Sequence, residues 1–568
     1  MPELNICPEF SYSLQMLFRR NWCMALVAAV IMSGCAGQSA SSPNNNSALA
    51  TSIAQKCSAV NAPDLGEGSV CFDNGFRVKS DDFSFANWGR SVSADANVTV
   101  QTLIDLFGHS AVCLPGSVTS CVLRPTTIQV LEQWNNALSG GRCEGIATLS
   151  NRLFLKFDRP NDFVANAQSV SDLKRTNPAL AKSIVYWWAT QFLPEVRDRA
   201  AESRALSPLE LVDELIEGLA NNVGYTLGMY FGATGHSVTP FAVTHRGDDF
   251  VIHVYDNNEP GVRREVVVKG TNNTWHFPKA YTALDGTSID WDGAKGTLEL
   301  VPMSARQGPF TCTFCNAAPT SSQRVLTISS RDPRSPGYVT IRTRNGKTLT
   351  STPDGIENSI PGARIDIGKG AQNSLLVISI PDDAGDFDVF IRRVNPSAMA
   401  GDVVVNLQRN DAADIQVTGN LAVDVIASRT FNMPLLAVRI NDTTVHAPKG
   451  SIARLSIAAG TNLSHTNLDA GSSLVIRNIR SNAIEVSLKG AANKEVAAAL
   501  FPVTTGTTAF TSQWALNEDQ QLVAVTEKLT AVSVTASPTI AFTPRKAPQT
   551  TTTSMEVPSS IVISRPDE

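Results

Sequence analysis

The chain of 568 residues lacks a surplus of charge: 17% of its residues are charged, and 47 Lys+Arg against 52 Asp+Glu leave a formal net charge of -5. With no basic field to attract nucleic acid, histone-like and other polyanion-binding proteins are excluded. Long hydrophobic runs are missing too. The one run that stands out, Trp22 to Met32, falls short of the roughly 20 apolar residues a transmembrane helix needs. An integral transporter is therefore excluded. No HExxH, phosphate-binding glycine loop or GxSxG string occurs, so the usual signatures of zinc peptidases, P-loop enzymes and α/β-hydrolases are absent. What remains is a hydrophobic content of 43%, close to the globular average and enough, at this length, for about three to four packed domains.

The N-terminus reads as an address. Arg19 and Arg20 precede the apolar run, and Ser33, Gly34 and Cys35 follow it, the order of a secretory signal. Met32-Ser33-Gly34-Cys35 resembles the lipobox of bacterial lipoproteins, in which the signal (here 1–34) is removed and the cysteine carries lipid. Glu3 and Glu9 lie ahead of the basic pair, so translation is expected to start at Met16. Ala36 after the cysteine resembles lipoproteins sorted to the outer membrane. Residues 35–55 are expected to be a polar tether, with the body in the periplasm or at the cell surface.

In that oxidising setting the cysteines can be paired by proximity: Cys57 with Cys71, Cys113 with Cys121, and Cys312 with Cys315. Cys143 is left over. It stands in Ser139-Gly140-Gly141-Arg142-Cys143-Glu144-Gly145, just before Ile146, Leu149, Leu153 and Phe154 at helical spacing. A thiol at a helix N-terminus is stabilised as thiolate by the helix dipole. Two glycines upstream allow close backbone approach to a substrate.

A nucleophile needs a base, and the base an orienting group. Gly235 to Thr244 reads as a strand, His245 to Asp249 as a turn, and Phe250 to Tyr255 as a second strand closed by Asp256-Asn257-Asn258. Antiparallel pairing about that turn sets His236 opposite residues 256–258. Gly-Gly-Arg-Cys143, Gly-His236-Ser-Val and Val-Tyr-Asp256-Asn-Asn together resemble the papain-like cysteine peptidase superfamily, over about residues 80–316. The resemblance implies Cys143 as nucleophile, His236 as base and then acid, and Asp256 as orienter, with Asn257 or Asn258 as alternatives. It implies no cofactor and no metal. Papain relatives carry a glutamine six residues before the cysteine to hold the oxyanion; here that position is Ala137, and Asn136 or Gln133 are the candidate substitutes.

The expected architecture is an α+β papain-like domain with an N-terminal extension over 56–316, followed by an all-β, sandwich-like C-terminal region over 317–531. Short alternating strands such as Tyr338 to Thr343 and Asp402 to Leu407, separated by Gly, Asn and Asp turns, carry the second expectation. Residues 532–568, rich in Thr, Ser and Pro, are expected to be a disordered tail. Ser207-Pro208-Leu209-Glu210 is a helix capping box. The acidic stretches 285–293 and 382–386 lack a full calcium ligand series and read as solvated turns. Cys312-Thr313-Phe314-Cys315 has no second pair for zinc. None of His109, His245, His253, His276, His446 and His465 lies at metal-like spacing from another. The partners expected are a peptide or protein substrate (or a cell-wall peptide) and a membrane through the lipid anchor, with no nucleic acid.

Overall fold

The computed structural model describes most of residues 43–312, leaving out 59–62, 90, 92, 114–120, 122, 124, 233 and 283–287, and beyond them the strands and some turns between 323 and 561. The expected signal over 1–34 and Cys35, the expected lipid site, lie outside the described residues. The fold is mixed α+β with a large β content.

Among the described residues eight α-helices, with the strand Ser69–Asp73 between the first two, precede the remaining strands: α1 Pro43–Ala54, α2 Val100–Phe107, α3 His109–Val112, α4 Pro125–Leu138, α5 Cys143–Phe154, α6 Pro178–Ala189, α7 Pro194–Arg204 and α8 Pro208–Ala220. They accompany an eight-stranded antiparallel half-barrel of β1 Ser69–Asp73, β2 Tyr225–Phe231, β3 Thr234–Arg246, β4 Asp249–Tyr255, β5 Arg263–Lys269, β6 Thr274–Thr282, β7 Ser288–Gly293 and β8 Leu298–Pro302, in the order β7-β6-β5-β4-β3-β2-β8 with β1 beside β3. The 13-residue β3 changes partners along its length. Its first residues pair with β2, and those from 242 on pair with β1. Against β4, a register shift between Pro240 and Ala242 bends the strand.

Helices cover both faces of this sheet. α8 begins with its capping box in place: the Glu210 N–H donates to Ser207 Oγ at 3.4 Å, and the Ser207 N–H donates to Glu210 Oε2 at 2.6 Å. Its Val212, Leu215, Ile216 and Leu219 pack on Val238, Val243, Ile252 and Val266. On the other side, Ile146, Leu149 and Leu153 of α5 pack with Phe76, Phe241, Tyr255 and Ile184. α5 and α6 approach very closely at Gly145, where a Cβ would lie 2.0 Å from the Ile184 carbonyl oxygen. Only glycine fits there.

The polar tether expected over 35–55 is corrected from residue 43 on. α1 buries Ile53 completely and lays Leu49, Ala50 and Ala54 on the α8 side of the core. Those apolar side chains recur at helical spacing, and polar Asn44 to Asn46 at the start hid the pattern.

The C-terminal half is built from two long sheets, of 11 and 10 strands. From Asp402 to Glu556 each sheet is extended in chain order, the chain crossing between them after every two or three described strands, and Ser560–Ile561 then pairs back with Phe510–Leu516. The tail expected to lack structure instead supplies strands at Thr539–Pro544, Thr553–Glu556 and Ser560–Ile561. Thr539–Pro544, with apolar Ile540, Ala541 and Phe542, pairs with Glu495–Pro502, which Thr- and Pro-rich composition alone obscured. No described helix is long and apolar enough to cross a membrane.

Candidate active site

The turn from α4 into α5 needs Gly141, which takes φ 143°, a conformation that side chains with a Cβ avoid. Arg142 then occupies the N-cap without a side-chain cap, and Cys143 is the first residue of α5. The N–H of Cys143 precedes the first intrahelical bond and has no hydrogen-bond partner among the described residues. Cys143 carries a free thiol and is fully buried. A buried N–H without a partner, at the residue holding a free thiol, is a feature that calls for a ligand.

β3 supplies His236, which is 2% exposed, and the turn after β4 supplies Asp256, 1% exposed. His236 Nε2 lies 2.8 Å from Asp256 Oδ1. That carboxylate oxygen also accepts the Asn258 N–H at 2.9 Å, while Oδ2 faces Arg264 Nη1 of β5 at 3.7 Å. Burial favours the neutral imidazole, but the Asp256 carboxylate and the neighbouring Cys143 side chain outweigh it and raise His236 to about 10. Burial opposes ionisation of Asp256, yet His236, the Asn258 N–H and Arg264 lower it below the usual carboxylate range. With Nε2–H committed to Asp256, the remaining ring nitrogen is Nδ1. It is buried without a hydrogen-bond partner, and Cys143 is the other side chain coupled to the ring.

The two neighbouring asparagines divide their work. Asn257 Nδ2 donates to the carbonyls of Ser237 at 2.8 Å and Cys143 at 3.2 Å, tying the two segments together. Asn258 Nδ2 lies 3.3 Å from His236 Nε2. Of the two candidates for the place of the missing glutamine, Gln133 is committed elsewhere, its amide donating to Thr327 Oγ1 of the C-terminal half. Asn136 sits half-buried in the last turn of α4, and its carbonyl accepts from Ser139.

Sequence reasoning missed Asn87. It lies on the irregular stretch that crosses both loops of the site. Its Oδ1 accepts the Arg142 N–H at 2.7 Å, its N–H donates to the Asn257 carbonyl at 2.6 Å, and its Nδ2 donates to Asn258 Oδ1 at 3.0 Å. A primary amide has two N–H groups, and this one uses one. Next to it Arg142 is fully buried, its guanidinium donating to the carbonyls of Ala96, Trp88 and Gly89 and lying 4.9 Å from the Trp88 ring centre. Burial and the like charge of Arg175 lower Arg142 to about 9. The only sequence signal for Asn87 was its place in the aromatic string Phe83-Ser84-Phe85-Ala86-Asn87-Trp88-Gly89.

Disulfides join Cys57 to Cys71 and Cys113 to Cys121. Cys312 is disulfide-bonded, and Cys315 lies outside the described residues. His109, Cys113 and Cys121 hold their ligand atoms within 4.8 Å of one another, but the disulfide takes both sulfurs out of a metal-binding role. Compared with protein-family models, curated sequences and solved structures, the chain matches none of them.

Proposed function

We propose that this protein is a papain-like cysteine hydrolase, a peptidase or amidase held at the outer membrane through lipid on Cys35. The observation that carries the reading is a free thiol at a helix start beside an imidazole whose far nitrogen is held 2.8 Å from a buried carboxylate. Cys143 gives its proton to His236 Nδ1, and the thiolate attacks the carbonyl carbon of a peptide, amide or thioester. The oxyanion is met by the Cys143 N–H and by the second N–H of Asn87 Nδ2, the role Ala137 does not fill. The C–N bond of a peptide or amide, or the C–S bond of a thioester, breaks, His236 passes its proton to the leaving amine or thiolate, and an acyl-thioester remains on Cys143. Water, deprotonated by His236, then releases the acid and restores the thiol. An amine in place of water makes the same triad a transferase.

The test uses the chain from residue 43 on, with iodoacetamide as the thiol probe and p-nitrophenyl acetate as the acyl donor, each read by peptide mass spectrometry. Labelling of native Cys143 at pH 6, its loss in His236→Ala, and an acetyl group on Cys143 are the expected results. One observation favours a second reading, a partner-binding domain without catalysis: Cys143 is wholly buried. A Cys143 that reacts only after denaturation overturns the hydrolase reading.

A further inference from the structure

We propose that Lys369, in the C-terminal half, is a positioning residue for Cys143, completing the charge balance of the candidate site from outside its domain; this rests on the reading of Cys143 as the nucleophile. The residue after the nucleophile is Glu144, 0% exposed, in the first turn of α5. A bare carboxylate there would oppose formation of a thiolate one residue away. Glu144 Oε2 instead meets Lys369 Nζ at 2.8 Å, and Oε1 meets the Arg306 guanidinium and Thr226 Oγ1, the latter at 3.2 Å. Burial would keep Glu144 neutral, but Lys369 and Arg306 hold it ionised, down to about 2.

Lys369 is 4% exposed and locked in place. Its N–H donates to Gln191 Oε1 at 2.5 Å, its carbonyl accepts from Trp188 Nε1 at 3.4 Å, and its Nζ also meets Glu299 Oε1 at 2.6 Å. The preceding Gly368 carbonyl lies 3.4 Å from where a Cβ on Gly235 would sit. The loop around Lys369 therefore touches the residue after Cys143 and the residue before His236. Beyond Glu299 the alternation of charge continues through Arg204 to Asp366 and Arg197. The titratable groups bearing on Glu144 and Cys143 are Lys369, Arg306 from the turn after β8, Tyr230 on β2, His236 on β3 and Arg142 at the N-cap.

The experiment measures the rate of iodoacetamide labelling of Cys143 against pH in the chain from residue 43 on. In Lys369→Met the Glu144 charge, left to Arg306 alone, moves the profile upward by about one pH unit, roughly a tenfold slower rate on its rising limb. Lys369→Arg restores it. Glu144→Gln, which removes the opposing charge while Lys369 stays, moves the profile downward and serves if Lys369→Met does not fold. A role in packing alone would lower the melting temperature and leave the profile where it was. Unshifted profiles in folded Lys369→Met or Glu144→Gln overturn the inference while leaving the hydrolase reading intact. Failure of the unsubstituted native protein to label at Cys143 overturns the hydrolase reading itself.

Discussion

Arg197 and Asp366 meet at 2.5 Å, both at least nine-tenths buried, one on α7 and the other on a strand of the C-terminal half. Asp366 also takes Arg204 at 2.5 Å and Arg364 at 3.1 Å. Charges this deeply buried are tolerated only because they are paired. The two halves of the chain therefore share one set of counter-charges.

Truncation after residue 316 is expected to unfold the remaining half rather than liberate it. It strands Arg197 and takes Asp366 from Arg204 and Lys369 from Glu144, and losing one partner of a buried pair costs about 3–5 kcal/mol. Near-ultraviolet circular dichroism of residues 43–316 should lack the fixed-aromatic bands of the longer chain. A cooperative melt with those bands intact would refute this.

Stability should peak near pH 6.5. His236 is raised to about 10 from 6.5, so its contribution is complete below pH 6.5 and fades as pH climbs toward 10. His253 is lowered to about 4 by burial first and Arg263 second. Its contribution is present above 6.5 and is lost as pH falls from there to 4. Glu144, lowered to about 2 from 4.5, adds a further loss below 4.5. Thermal melts across pH should show His236→Gln flattening the alkaline limb and His253→Gln the mildly acidic one. If either variant flattens the other's limb, the assignment fails.

Asn87→Ala separates two roles. Loss of one oxyanion donor lowers turnover of an ester or amide by about 10²–10³-fold, whereas alkylation, which forms no oxyanion, should proceed at least as fast. Equal losses in both rates would mean that Asn87 only supports the fold.

Gly145→Ala should destabilise by about 1–3 kcal/mol or more, because a methyl group 2.0 Å from the Ile184 oxygen forces α5 and α6 apart. Urea denaturation measures it directly. A midpoint unchanged from the parent would show that the helices can yield there without cost.

Much of the site could be read along the chain because it is local. The turn at Gly247 sets the β3–β4 register, the shift between Pro240 and Ala242 adjusts it by one residue, and together they bring His236 toward Asp256. Cys143 stood out because proximity paired its neighbours and left it over. The long-range parts could not be read this way. Asn87, Arg264 and Lys369 reach the site from separate segments, and nothing in an Asn-Trp-Gly or a Gly-Lys-Gly string announces its destination. α1 was hidden by its asparagines, and the late strands by a composition that elsewhere means a flexible tail.

The two C-terminal sheets have a consequence for how such a protein changes size. From Asp402 to Glu556 each new group of described strands is laid on the last, and Ser560–Ile561 returns to the earlier Phe510–Leu516. Whole hairpins can therefore be gained or lost at the growing end, much as rungs are added to a ladder, without disturbing those beneath. The loop that carries Lys369 precedes this stretch. Changes in reach are thus separated along the chain from the contacts around Cys143.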